Sequence, residues 1–413
     1  MAGALPSFAA ADWFRAPAVR RIFAILEEEG DEARIIGGAV RDALMGRPLG
    51  DLDFATTAAP DVVMRRAEAA GIKAVPTGIE HGTVTLVVEG EGHQVTTLRE
   101  DIETDGRRAV VRFGRDWTAD ARRRDFTINA LSVDSYGAVH DPLGGYGDVV
   151  ARRIRFIGDP DQRIAEDRLR ILRLFRFHAE LEAGEPDPVG MAAAIRARNG
   201  IRELSAERVA QEMRRLVVAP GAVSTVTAMQ EGGILPVVLG GIGYLGSFAR
   251  LVDFEKAVGA ASAVSLRLAG LAARVPEDAE RVAARLKLAN AERERMISAL
   301  AAASELPAVP TERETRRLLY GFKAEAYRDG VALAAAWGGA DAGDWAETYR
   351  LPERWTAPAF PLAGADVLAA GAARGPAVGE VLRTLEAWWI AEDFRPDKAA
   401  LRARLQQMVA GEQ

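Results

Sequence analysis

Asp51 and Asp53, one residue apart in the stretch GRPLGDLDFAT, are the side chains from which a chemistry is most directly read. On a β-strand, side chains two apart share a face, so Leu52 would turn into a core while both carboxylates stand side by side. Carboxylates that close repel one another unless a cation lies between them. Mg2+ on oxygen donors is the usual solution, and it brings substrate phosphates with it. An Asp-x-Asp by itself also fits a solvated acidic turn. The residues just upstream weigh against that, because Gly37 and Gly38 fall between a strand-like ARII and a helix-like AVRDALMG. There the bare backbone can approach a ligand and a helix N-terminus can hold an anion, with Arg41 in the following turns within reach of a phosphate. Gly-Gly alone is equally a tight strand-to-helix turn. A phosphate cradle shortly before a carboxylate pair is much more specific.

Two further clusters bear on the same chemistry. In RRRDFTINAL, residues 122–131, three arginines precede Asp125. A charge run is usually a solvated face, yet FTINAL is apolar enough to be buried, which would anchor Arg124 and Asp125 at a core boundary. An arginine there suits a triphosphate, and an aspartate suits a ribose hydroxyl. In AEDRLRILRLFRF, read as part of one long amphipathic helix starting at PDQRI, Asp167 and Arg170 are i,i+3 neighbours and Arg173 and Arg176 continue the ridge. A surface ion pair contributes little. The sharper alternative is base recognition: cytosine and adenine both offer an amino donor beside a ring-nitrogen acceptor, whereas uracil and guanine present the opposite order. A fixed Asp acceptor beside a fixed Arg donor fits C and A and leaves groups unpaired against U and G.

These residues need elements to position them. Over roughly the first 150 residues short apolar runs alternate with helical patterns, which predicts a mixed α/β domain. PAVRRIFAILEEEG and DVVMRRAEAAG read as helices, and GTVTLVVE and HQVTTLR as a hairpin. DIETDGRRAVVRFGRD is polar and Gly-punctuated and reads as a long mobile loop. Beyond about residue 150 the chain is Ala- and Leu-rich with helical period, in segments such as AERVAQEMRRLVV, AERERMISALAAA and GEVLRTLEAWWIAEDF, which predicts an all-helical remainder. The tryptophan pair Trp388 and Trp389 reads as core.

Composition narrows the function classes. A chain of 413 residues exceeds what one core usually serves. Without cysteine it has no disulfides, thiol nucleophiles or thiolate metal sites, and its four histidines lack ligand spacing. A net charge of −6 argues against a wholly basic nucleic-acid-coating protein, though not against local basic patches. Only five of the 53 basic residues are lysine, a bias that fits genome composition as well as phosphate recognition by planar guanidinium groups. No apolar run reaches the length of a membrane span and MAGALPSFAAADWF has no basic n-region, so the expected location is cytoplasmic.

GGAVRD with DLD, RRRDFTINAL, EDRLR and SAERVAQEM resemble, in order, the successive motifs of class II template-independent nucleotidyltransferases, the CCA-adding enzymes and bacterial poly(A) polymerases. The resemblance runs over residues 34–216, and five ordered motifs make it specific. It implies an α+β chain with a polymerase β-like nucleotidyltransferase head over 1–150, a helical neck over 151–223 that recognises the base, and a helical body and tail over 224–413 that bind tRNA. It implies that Asp51 and Asp53 bind catalytic Mg2+, and that Gly37, Gly38, Arg41, Arg124, Asp125, Arg173 and Arg176 handle the nucleotide. Asp167 and Arg170 would read the base in place of a nucleic-acid template. Ser205, Glu207, Arg208 and Glu212 match the last motif, which braces the neck. The implied partners are the tRNA 3′ end, CTP and ATP, with no DNA and no membrane. Poly(A) synthesis, addition of CC or A alone, or RNA binding without catalysis stay open as alternatives. One departure stands out: the strand QVTTLR carries Gln94 where the family commonly has a glutamate. Near the C-terminus, GPAVG puts Gly375 and Gly379 at a helix start, suited either to an RNA phosphate or to an ordinary interhelical turn.

Overall fold

The computed structural model describes residues 5–105, 108–182, 184–307, 310–338, 342–372 and 374–411. Its contacts divide the chain into two compact units, Met1–Val238 and Leu239–Gln413. Among the described residues no helix is long and apolar enough to cross a membrane.

The first unit opens with helices α1 (Asp12–Arg15) and α2 (Pro17–Leu26); Pro17 starts α2, and Val19, Ile22, Phe23, Ile25 and Leu26 form its buried stripe. Seven strands follow one sheet: β1 (Ala33–Ile36), β2 (Asp53–Thr56), β3 (Lys73–Gly78), β4 (Thr83–Val88), β5 (Glu91–Thr97), β8 (Ser132–Asp134) and β9 (Val139–His140). Their spatial order is β3-β4-β5-β2-β1-β8-β9. Only β2 and β5 run parallel; every other neighbouring pair is antiparallel. Alternation sets the faces, as in β4, where Val84, Leu86 and Val88 are buried and the residues between them are not. Helices α3 (Gly38–Leu44) and α4 (Pro60–Ala69) lie between the early strands, as the helical patterns predict. Phe23 of α2 meets Phe54 of β2 edge-on at 5.4 Å and ties helix layer to sheet.

Three readings of the sequence are corrected. The stretch read as a long mobile loop is a two-stranded antiparallel ribbon, β6 (Arg99–Asp105) with β7 (Arg108–Phe113); residues 106 and 107 lie outside the described residues. Its Asp105-Gly106 dipeptide beside β-branched Val110 and Val111 is a hairpin signal that the surrounding charge obscures. Asp51 and Asp53 do not share a strand. β1 ends at Ile36, paired with Asp53, because Gly37 turns the chain away at φ 71°, so Asp51 and Leu52 have no strand to pair with. The third correction is a break in the long arginine-rich helix at Asp167, which takes φ −152° and ψ 110° between α7 (Pro160–Glu166) and α8 (Leu169–Glu180). The Asp167 carboxylate accepts from the Leu169 backbone N–H at 3.0 Å, the local bond by which aspartate competes with helix.

Helices α5 (Trp117–Arg122), α6 (Tyr146–Val150), α9 (Pro188–Ala197) and α10 (Ala206–Val217) complete the part of this unit that carries the site. The turn of 3-10 helix over Thr127–Asn129 packs against the start of α6. The described elements of the second unit are all helices, and its longest helical run, Glu312–Gly338, is broken by a kink at Lys323 (φ 64°, ψ 168°). Its last cluster buries Leu362, Val367, Val381, Leu385, Trp389, Leu401, Leu405 and Val409; Trp388 packs against it, so the tryptophan pair is core.

At Gly145 the constraint is space, since its φ is an ordinary −79° but a Cβ there would lie 2.2 Å from the Thr127 carbonyl oxygen. Gly145→Ala is expected to cost roughly 1–3 kcal/mol by forcing α6 off that turn. A urea unfolding series measures this, and an unchanged midpoint would show that α6 yields freely.

Candidate active site

One open cavity of about 570 Å³ in the first unit gathers most of the residues singled out by the sequence. Gly37, Gly38, Arg41, Asp53, Arg124, Asp125, Asp167, Arg170, Arg173 and Arg176 all line it, with Asn129, Phe177, Arg208 and Arg215. Asp51 does not; it lines an adjacent cavity. Gly375 and Gly379 lie in the second unit, Gly375 at the N-cap of the helix Pro376–Ala391, as the GPAVG pattern predicts.

The arginines are held from behind by carboxylates. Arg173 donates through Nε to Asp125 Oδ2 at 2.7 Å. The other oxygen of Asp125 accepts from the Phe126 N–H at 2.9 Å and from Asn129 Nδ2 at 3.1 Å. Asn129 in turn accepts from Arg41 Nη1 at 2.8 Å, and Arg41 also grips Asp42 at 2.9 and 3.0 Å. Arg124 donates to buried Asp120 at 3.1 Å. Arg176, only 3% exposed, bonds Glu212 of α10 and Glu180. Three of these guanidiniums stand near the Phe177 ring, Arg176 at 4.0 Å, Arg41 at 5.2 Å and Arg173 at 5.5 Å from its centroid. Sequence reasoning missed Asn129 and Phe177, although both lie within recognised motifs. Asp125, suggested by the sequence for a ribose hydroxyl, lines the cavity with both oxygens also bonded within the protein.

Asp167 and Arg170 line the cavity without touching through their side chains. Asp167 Oδ2 accepts from Arg208 Nη2 of α10 at 2.7 Å. Arg170 Nη1 donates to Glu166 at 2.5 Å and to the Arg163 carbonyl at 2.7 Å. Each is therefore fixed by a protein partner, which is what a rigid acceptor and a rigid donor require.

Burial works to raise the Asp125 carboxyl, but Arg173, Asn129 and the Phe126 N–H outweigh it and hold the pKa below the ordinary value. At Asp53 the balance is reversed: burial, then the neighbouring Asp51 charge, push its pKa up, with Arg124 opposing. Neither Asp51 nor Asp53 takes a side-chain hydrogen bond or ion pair among the described residues. Two oxygen-donor carboxylates without a side-chain hydrogen bond, the Asp51 charge pushing the Asp53 carboxyl up, fit a hard divalent cation. Among the described residues no group of three metal-ligating side chains occurs, so such an ion would rely on phosphate and water oxygens for its remaining ligands. Gln94 precedes the Phe54–Val95 pair of the parallel strands as Asp53 does, so it stands beside Asp53 on the same face and places a neutral amide there.

The family model described as the poly A polymerase head domain matches residues 33–155. The CCA tRNA nucleotidyltransferase 1, mitochondrial, of Danio rerio is 31% identical over 392 residues, 93% of this chain and 89% of that protein. The CCA-adding enzyme of Geobacillus thermodenitrificans is 39% identical over 234 residues, 54% of this chain and 55% of its own. The crystal structure of the Bacillus stearothermophilus CCA-adding enzyme in complex with CTP superposes with a TM-score of 0.75 at 28% identity, covering 96% of this chain and 98% of that one. The fold is that of a nucleotidyltransferase head followed by helical domains. The chain belongs to the CCA-adding tRNA nucleotidyltransferase family. Enzymes of this class generally work with a divalent metal.

Because the folded pKa of Asp125 is depressed, its contribution to stability is present above the unfolded carboxylate value of 3.8 and is lost as pH falls through the folded value. Asp125→Asn is expected to lose roughly 1–3 kcal/mol at pH 7, with the deficit shrinking as pH drops below 3.8. Urea midpoints across the acid range check this. A pH-independent deficit would assign the loss to packing.

Proposed function

We propose that this chain adds C, C and A to the 3′ end of tRNA, using CTP and ATP and releasing pyrophosphate. The observation that carries the reading is the placement of Asp53, the braced arginines and the Asp167–Arg170 couple around one cavity. The 3′ oxygen of the RNA forms a bond to the α-phosphorus; the bond from that phosphorus to the bridging oxygen breaks, pyrophosphate leaves with the electron pair, and the hydroxyl proton passes to solvent. Asp51 and Asp53 would hold Mg2+, which when bound lowers the pKa of the attacking hydroxyl and offsets charge on the leaving group. Gly37 and Gly38 bring backbone close to the triphosphate, and Arg41, Arg124, Arg173 and Arg176 present cationic charge to it. Asp125 is a positioning residue that holds Arg173.

Asp167 accepts from the amino group of cytosine or adenine while Arg170 donates to the neighbouring ring nitrogen. Arg208 and Glu166 keep the two from turning away. Residues 1–150 act as catalytic head, 151–223 as base-reading neck, and 224–413 bind the tRNA body, with Gly375 and Gly379 against its backbone. The β6–β7 ribbon rearranges between C and A addition. The proposal extends to a cytoplasmic location.

A tRNA transcript lacking its last three nucleotides, incubated with protein, Mg2+, CTP and ATP, is expected to gain CCA, and with CTP alone to gain CC. A long A tail would instead identify a poly(A) polymerase, and binding without pyrophosphate release a non-catalytic relative. Asp51→Ala and Asp53→Ala are each expected to slow transfer by about a thousand-fold or more, the scale of several kcal/mol of lost charge stabilisation. Replacing the β6–β7 ribbon by a short Gly-Ser turn is expected to spare CC addition and abolish the final A; loss of both together would remove the ribbon from that role.

A further inference from the structure

Arg163 belongs to α7, its side chain is only 12% exposed, and it is not among the described residues that line the nucleotide cavity. It nevertheless touches what supports two different parts of that cavity. Its guanidinium reaches the backbone past the end of α5, where Nη2 donates to the Arg123 carbonyl at 2.7 Å and to the Arg124 carbonyl. Carbonyls at a helix C-terminus lack intrahelical donors, and a cation is favourable there. The backbone carbonyl of Arg163 meanwhile accepts from Arg170 Nη1 at 2.7 Å and from the Asp167 N–H at 3.4 Å. Arg163 Nη1 and Arg170 Nη1 also converge on one oxygen, Oε2 of Glu166.

The side chain of Arg163 thus stands on the segment that presents Arg124, while its main chain holds both members of the Asp167–Arg170 couple. Arg124 itself bonds Asp120 and the Asn129 carbonyl, and Asp167 bonds Arg208 and the Leu169 N–H. Arg163 bonds to both groups. A second link between α8 and the same loop runs from Arg173 to Asp125, but it attaches one residue past Arg124 and nearly a turn beyond Arg170. In a nucleoside triphosphate the separation of base and α-phosphorus is limited by the sugar between them. The spacing of the residues that grip the two ends has to match it, and a misplacement of about 1 Å by a change away from the chemistry can cost about a hundred-fold in rate.

We propose that Arg163 is a positioning residue for base selection: it fixes the spacing between the Asp167–Arg170 couple and Arg124, so that a base paired to the couple has its triphosphate in register for transfer. The inference rests on the nucleotidyl-transfer reading above. Arg163→Met keeps an unbranched stem and removes the donors. In steady-state assays with the truncated tRNA transcript it is expected to lower kcat for CTP about ten-fold, with KM for CTP and the slow incorporation of UTP unchanged, so that discrimination between the two falls by the same factor. Arg163→Lys restores donors but not the planar fork, and it is expected to recover part of the loss. In the Arg170→Ala background, where the base is no longer read, Arg163→Met is expected to change discrimination little further. An equal loss with CTP and UTP, or losses from Arg163→Met and Arg170→Ala that add, would overturn the proposal and make Arg163 a packing residue. If a lowered urea midpoint shows that Arg163→Met does not fold properly, Arg163→Lys carries the same comparison: reduced discrimination supports the proposal and full discrimination overturns it. Absence of any transfer by the unaltered protein would overturn the functional reading and this inference with it; normal transfer with undiminished discrimination in the variants removes this inference alone.

Discussion

Crowding of positive charge is the constraint on which the site depends. Seven guanidinium groups line one cavity, and without countercharge they would repel one another and the fold around them. The chain answers with carboxylates placed behind the arginines: Asp42 for Arg41, Asp120 for Arg124, Asp125 for Arg173, Glu166 for Arg170, and Glu180 with Glu212 for Arg176. Guanidinium groups carry five donors each. Those pinned to the protein fix the plane, and the rest remain for a ligand. Arg173, Asn129 and the Phe126 N–H together outweigh burial and hold the Asp125 pKa below its ordinary value, and these bonds link α8 to the turn that carries Asn129.

The same logic separates the two carboxylates that begin the chemistry. Asp53 lies on the last residue pair of β1 and β2, half-buried and lining the arginine-rich cavity, whereas Asp51 lies before the strand and lines a cavity with the opposite charge. One side of the pair is prepared for an anion and the other is not. β2 begins at Asp53, opposite the end of β1 where Gly37 turns the chain away, so Asp51 lies before the strand yet near enough for its charge to push the Asp53 carboxyl up.

Most elements were legible because their periodicity is strong. α2, α4, α10 and the β4–β5 hairpin follow directly from apolar spacing. The cavity-lining arginines were legible through motifs in which position, not composition, carries the meaning. What escaped was local. The ribbon Arg99–Asp105 with Arg108–Phe113 is too charged for hydrophobic alternation to mark it. The break at Asp167 rests on one side-chain bond to its own backbone, which a helical-period reading averages away. Asn129 inside FTINAL looks like one polar residue in an apolar run, and only the fold reveals it as the link between Arg41 and Asp125. The cavity that Asp51 and Glu91 share with Trp13 and His93 joins residues from three distant segments, which no local pattern reports.

Base selection by side chains already fixed in the protein is the central claim, and equilibrium binding of the four nucleoside triphosphates to the protein without RNA tests it most directly. With Asp167 held by Arg208 and Arg170 by Glu166, calorimetry should find CTP and ATP bound about ten-fold or more tightly than UTP and GTP, the scale of one buried group left unpaired. Equal affinity for all four would contradict it.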